Sequence, residues 1–305
     1  MIKAIKKYFY SLVLVGFLSH SAYACTAIAA SGKMVEGGGT LLAKNRDASP
    51  FEYEQLKVVK PKQGYSYIAL VYGKTKNNMP YISSGINQYG LAITMNDESS
   101  RPNKDKNIGN DVANTIKTIL MKYKTIKDVQ EHAQSLFGNS ELANYTLSDS
   151  TQVASFQVGA HDMYAEKVTS NGVVWNTNYY NLKLLKKQNI KIPFTTAGRN
   201  KTLQLWLKRT HTPYKMGDLY QLLGSYYNGP YSSISRDVTI AKFMVINHKG
   251  IINVYVNFTN STQRYIAYRF DITPKFFESQ KEGEINKKYS IFEQMKIYIE
   301  QQKKN

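Results

Sequence analysis

The chain carries 305 residues, 12% of them aromatic, with 40 lysines and arginines against 22 acidic residues, a formal net charge of +18 and a single cysteine. That length and aromatic content suit one large folded domain or two small ones and exclude a disordered chain, and one cysteine excludes an internal disulfide. So basic a balance admits anionic substrates, membrane surfaces or nucleic acid. The lysines, however, are scattered along the chain without a helix-turn-helix, zinc-finger or aromatic RNA-binding signature, so they read as solvated surface and nucleic acid is not an expected partner.

Residues 1–24 read as a signal peptide. They open with Lys3, Lys6 and Lys7, run apolar over residues 8–18 and end in Ala22-Tyr23-Ala24, the small-x-small pattern of a signal-peptidase site. The apolar run is too short to span a membrane, and no later stretch approaches about 20 apolar residues, so stable membrane insertion is not expected. Cleavage would leave Cys25 first in a periplasmic or secreted chain. Its free α-amine, with an ordinary pKa of about 7.7 to 8.0, would then sit on the residue that carries a thiol of about 8.5. One residue supplies both nucleophile and base, and no neighbouring histidine is needed. Two plainer readings stand beside this one: an inert thiol, and a lipid-anchored cysteine, whose signal prefers a branched aliphatic where Ala22 stands.

In chain order, residues 25–30 are a strand of small and β-branched residues, 31–40 a turn, and 41–44 the returning strand. The glycines at 37, 38 and 39 lack the lysine and helix start of a phosphate loop and read as a hairpin turn. The hairpin brings Asn45, Arg46 and Asp47 back toward Cys25. Strands are predicted at 55–59, 65–71, 81–84 and 91–95. Helical periodicity follows over 110–137, with Val112, Ile116, Ile119 and Leu120 on one face and a second helix from about residue 125, whose face includes His132 as a packed core residue. Strands return at 144–148, 153–158, 163–168 and 173–177. Helices are expected at 200–208 and 216–226, then strands at 239–246 and 251–257. Residues 274–305 read as an amphipathic helix and a basic tail.

The order of strands, two helices, strands, two helices and strands has no Pro- or Ser-rich linker and no repeat. It suits a single α+β domain, residues 25–305, with two antiparallel sheets stacked between helical layers. The histidines at 161, 211 and 248 show no paired ligand spacing, so neither a metal nor a cofactor is expected.

A mature N-terminal Cys-Thr, a short hairpin ending in AKNRD and then GINQYGLAITMN resemble the N-terminal-nucleophile hydrolases that cleave linear amides. These include choloylglycine hydrolases, penicillin V acylases and the isopenicillin-N (penicillin) acyltransferase-like family. The segments NYTLSDSTQVASFQV, GVVWNTNYYN and SSISRDVTIAKFMVI look most like the last of these. The resemblance implies a four-layer αββα sandwich with Cys25 as nucleophile. It also implies Asp47 as the carboxylate that orients the α-amine, Asn96 and Asn178 as oxyanion donors, and Arg236 as support for Asp47 and Cys25. Choloylglycine hydrolases carry arginine where Lys44 stands; lysine keeps the charge and loses the two-pronged fork. Arg46 can stand in for it if the strand continues through residue 46, which would put the two on one face, and Asn45 is a further candidate for the network. The implied activity is hydrolysis of a small N-acyl amide, or transfer of its acyl group, through an acyl-enzyme. A dipeptidase of the same superfamily and a catalytically inactive binding protein are the alternatives. Tyr179-Tyr180 and Tyr226-Tyr227 could line an aromatic acyl pocket or serve in core or surface.

Overall fold

The computed structural model describes residues 24–49, 52, 54–73, 80–102, 105, 111–138, 140–259, 267–273 and 275–285. Apart from Ala24, the expected signal peptide lies outside the described residues, as does the tail beyond residue 285.

The chain begins with a hairpin of β1 (Thr26–Ser31) and β2 (Thr40–Asp47), antiparallel with Thr26 opposite Asn45 and Ser31 opposite Thr40. Its connection needs glycine: residues 37, 38 and 39 all have φ between +73° and +85°, and a Cβ on Gly39 would meet the Asn247 carbonyl oxygen at 2.2 Å. Both strands are buried along their whole length. A meander follows: β3 (Glu54–Val59), β4 (Tyr67–Tyr72), β5 (Tyr81–Asn87) and β6 (Ala92–Asp97).

The first helical block is α1 (Val112–Lys122), α2 (Ile126–Glu131) and α3 (Ala133–Phe137). Asp111 caps α1 by accepting from the Ala113 N–H at 2.7 Å, and Thr125 with Asp128 forms a capping box on α2. The expected burial of His132 is not observed. The helix breaks there, at φ −113° and ψ 11°, so the periodicity restarts at Ala133 and the imidazole turns outward, exposed, with Nδ1 2.9 Å from the Asp128 carbonyl.

The chain returns through β7 (Ala143–Ser148), β8 (Val153–Val158), β9 (Tyr164–Thr169) and β10 (Val173–Asn176). It then enters α4 (Phe194–Arg209), α5 (Met216–Gly224) and the single turn α6 (Gly229–Ser232). Strands β11 (Thr239–His248), β12 (Ile251–Phe258) and β13 (Ala267–Ile272) follow. The long helix expected from residue 274 is, within the described residues, one turn, α7 (Phe276–Ser279). Gly283, at φ +121°, then leads into β14 (Gly283–Glu284), which pairs with β3. Burying Phe277 and adding an edge strand takes precedence over helical periodicity here.

Two antiparallel sheets result, ordered β10-β1-β2-β11-β12-β13 and β14-β3-β4-β5-β6-β7-β8-β9. Three cores show how they stack. Leu42, Leu56, Ile68, Leu70, Phe243 and Val245 lie between the sheets. Ile116, Ile119 and Phe137 cover the outer face of the larger sheet at Ile93, Tyr145 and Phe156. Leu203, Leu219 and Leu222 cover the outer face of the smaller one at Ile28, Ala43 and Met244. This is the four-layer αββα sandwich.

Candidate active site

The site is built on the opening hairpin. Cys25 is buried one residue before β1, and the β1–β2 register extended by that residue sets it opposite Arg46. Because β2 runs unbroken through Asp47, side chains alternate along it. Leu42 belongs to the core between the sheets, so Lys44 and Arg46 share that inter-sheet face with Cys25. Asn45 and Asp47 turn to the helical side.

Asp47 is held from two directions. Its Oδ2 accepts from Arg236 Nε at 3.0 Å and Nη2 at 2.9 Å, and its Oδ1 accepts from the Thr239 hydroxyl at 2.6 Å. Thr239 sits opposite Asp47 in the β2–β11 ladder, so backbone pairing places that hydroxyl. Arg236 Nη2 also donates to the Ala24 carbonyl at 3.2 Å, next to the Cys25 nitrogen. The pair is buried, which makes it costly to break: removing one partner of such a pair costs about 3–5 kcal/mol.

Lys44 spans the gap between the sheets. Its Nζ donates to the Ser83 carbonyl at 3.0 Å and to the Met95 carbonyl, tying β2 to β5 and β6. Burial holds its pKa below the ordinary lysine value, and the nearby Cys25 thiol opposes that shift. Arg46 is committed as well: Nε donates to Glu54 at 2.8 Å, Nη1 to the Asp47 carbonyl at 2.8 Å and Nη2 to Glu52 at 3.2 Å, while the guanidinium lies 4.2 Å from the centre of the Tyr72 ring. Asn45 Nδ2 donates to the Leu223 and Ile234 carbonyls, fastening β2 to the end of α5.

The two remaining predicted residues meet at the end of β10. Asn96, opposite Asn144 in the β6–β7 ladder, donates through Nδ2 to the Asn176 carbonyl at 3.0 Å and the Thr177 carbonyl at 3.4 Å. It thereby fixes the backbone that leads into Asn178. Asn178 donates through Nδ2 to the Asp97 carbonyl at 2.7 Å and accepts at Oδ1 from Arg199 Nη2 at 3.0 Å.

Arg199 escapes the sequence reading. It is fully buried in α4, and its guanidinium reaches the Cys25 carbonyl, the Thr26 hydroxyl at 2.9 Å, Asn178 Oδ1 and the Thr196 hydroxyl at 3.1 Å. One side chain therefore ties the cysteine to the asparagine. Burial lowers its pKa to about 10, with Asp47 opposing the shift, so it stays charged at neutral pH. The helix expected from residue 200 starts six residues earlier, at Phe194, and so includes Arg199. Of the tyrosines singled out, Tyr179 and Tyr180 are buried, the latter donating to the Val158 carbonyl at 2.8 Å, whereas Tyr226 and Tyr227 are exposed.

The model of the acyl-coenzyme A:6-aminopenicillanic acid acyl-transferase family matches residues 34–256. The chain belongs to this family, and with it to the N-terminal-nucleophile hydrolases. Among solved structures it is similar to a variant of the conjugated bile acid hydrolase of Clostridium perfringens, with a TM-score of 0.55 and 14% identity over 88% of this chain and 99% of that one. The N-acylethanolamine-hydrolyzing acid amidase ortholog of Caenorhabditis elegans also matches, with a TM-score of 0.48 and 12% identity over 73% of this chain and 93% of that one. No curated protein matches by sequence. The protein is thus an amide-acting hydrolase or acyltransferase.

Proposed function

We propose that the protein is exported, loses residues 1–24 and acts as a cysteine hydrolase or acyltransferase on a small N-acyl amide. The observation that carries this reading is the position of Cys25, buried at the start of β1 with Lys44 and Arg46 on its own face and the Arg236–Asp47 pair beside its backbone nitrogen. Ala24 is buried too, so the Ala24–Cys25 bond would have to be cut before the chain closes over it, as it is when an unfolded chain is exported. The α-amine released there meets a carboxylate already fixed by Arg236 and Thr239, so Asp47 acts by orientation.

In the reaction the Cys25 thiol gives its proton to its own α-amine, and sulfur attacks the amide carbon, forming the C–S bond and an oxyanion. Asn178 serves as an oxyanion donor through its side-chain amide, and the donor from Asn96 is its backbone N–H, because its Nδ2 is given to the Asn176 and Thr177 carbonyls. Collapse breaks the C–N bond while the α-ammonium returns its proton to the departing amine. Water then attacks the thioester, losing a proton to the α-amine, and the thiol leaves with that proton; a second amine in place of water gives acyl transfer. The family to which the chain belongs is named for a transfer of that second kind.

A mass measurement on protein quenched during turnover of an activated acyl donor tests the acyl-enzyme. The expected result is one acyl group on the peptide that begins at Cys25; label on any other residue, or none, overturns the mechanism. Asn178→Ala should lower kcat by roughly 100- to 1000-fold with little change in KM, the usual cost of one oxyanion donor.

A further inference from the structure

The loop between β10 and α4 has a feature that the amide chemistry does not use. Leu184, Ile190, Ile192 and Phe194 are 59%, 66%, 40% and 74% exposed. These side chains are not dangling from a loose segment. Leu185 between them is fully buried against Tyr180 and Ala165. Asn189 bonds Tyr180 in both directions, at 3.0 and 2.8 Å, and the Ile190 and Lys191 N–H groups both donate to the Ser100 carbonyl, at 3.1 and 2.9 Å. The loop is fastened at its base and holds its aliphatic side chains outward, where a solvated loop would carry polar ones.

Charge marks the same place. Lys183, Lys186, Lys187 and Lys191 alternate with those apolar residues, and all four are exposed. Between Glu166 and Asp218 there is no acidic residue at all, against eight lysines and two arginines. The lysines are scattered along the whole chain, but basic residues outnumber acidic ones most heavily over this stretch. The loop that carries these four lysines follows β10, which is a terminal strand of its sheet and lies against β9, the terminal strand of the other. A cavity of about 260 Å³ lies at that edge, with Lys167, Lys183 and Lys186 among its walls and Trp175 and Tyr179 beside them.

We propose that this edge, residues 183–194, docks on an anionic lipid bilayer. The aliphatic and phenylalanine side chains enter the boundary between headgroups and acyl chains, and the lysine stems lie along them with their ammonium groups at the phosphates. No carboxylate lies along residues 167–217, and Asp105, which reaches the loop's neighbourhood through Arg101, is paired with that arginine at 2.8 Å, so the exposed lysines give the charge complementarity that an anionic leaflet needs. A nucleic acid would be served by the lysines alone and would leave Leu184, Ile190 and Ile192 exposed. An acidic protein partner is separated from a lipid surface by the test itself, which contains no second protein.

The experiment is co-sedimentation with vesicles of phosphatidylcholine, with and without phosphatidylglycerol. The wild type is compared with Leu184→Ser/Ile190→Ser/Ile192→Ser/Phe194→Ser, with Lys183→Gln/Lys187→Gln/Lys191→Gln, and with the charge-matched control Lys122→Gln/Lys124→Gln/Lys127→Gln. All chains keep the same ends, so any contribution of residues 1–24 is common to them, and all substituted side chains are exposed, so melting temperatures should agree. The wild type is expected on the phosphatidylglycerol vesicles only. Each loop variant should bind on the order of tenfold more weakly, with the control close to wild type. Equal losses in the control and the loop variants, wild-type binding by the serine variant, or no binding to either vesicle would each overturn the proposal.

Discussion

Cys25→Ala should lower turnover of an N-acyl amide by roughly 10⁴- to 10⁶-fold, the scale seen when a nucleophile is removed from a site that otherwise stays intact. The fold should survive, because the substitution deletes one buried atom, at a cost of about 1 kcal/mol. Cys25→Ser should be nearly as inactive. A serine hydroxyl is a weaker nucleophile than a thiol with a pKa of about 8.5, must lose its proton to the α-amine in the step of attack, and sits in a site shaped around the larger sulfur. Paired measurements of kcat and melting temperature check both variants. Substantial turnover by the alanine variant would move the chemistry to another residue.

The second large effect belongs to Arg199. Arg199→Met should destabilise the protein by about 3 kcal/mol, since bonds from a charged donor contribute about 1.5–3 kcal/mol each and relief of the buried charge returns part of the loss. It strips the donor from the Cys25 carbonyl, the Thr26 hydroxyl and Asn178 Oδ1 together. Turnover should fall with stability, because the cysteine and the asparagine lose the side chain that ties them to one another. Arg199→Lys should recover part of the stability and less of the rate: a single ammonium keeps the charge but not the fork that spans both partners. With its pKa held to about 10, Arg199 does not titrate between about pH 6 and 9, so the loss should be uniform across that range. A purely structural role would instead show the stability loss with kcat preserved in the folded fraction.

How much of this was legible in the sequence depends on distance along the chain. The β1–β2 hairpin and the return of Asn45, Arg46 and Asp47 to Cys25 could be read, because a glycine turn between two short strands sets that register locally. The shared face of Lys44 and Arg46 waited only on whether the strand continued, and it runs through Asp47. Arg199 was hidden for a different reason: it lies 174 positions from Cys25 and sits on a helix whose first turn has no apolar stripe, held by polar contacts that propensity does not register. Thr239 was equally silent, since a hydroxyl in a strand means nothing until the ladder places it opposite Asp47. His132 shows the converse error, a correct helical period carried one residue across a break. β13 lies beyond the last expected strand, although the alternation of Tyr268, Phe270 and Ile272 marks it in the sequence.

Catalysis by this route needs an unblocked α-amine at Cys25, and the intact mass and N-terminal sequence of the protein recovered after export test that directly. The predicted result is a chain that starts at Cys25 with no added mass. A chain that starts elsewhere, or a Cys25 whose amine or sulfur carries lipid, would remove the base the mechanism requires and contradict it.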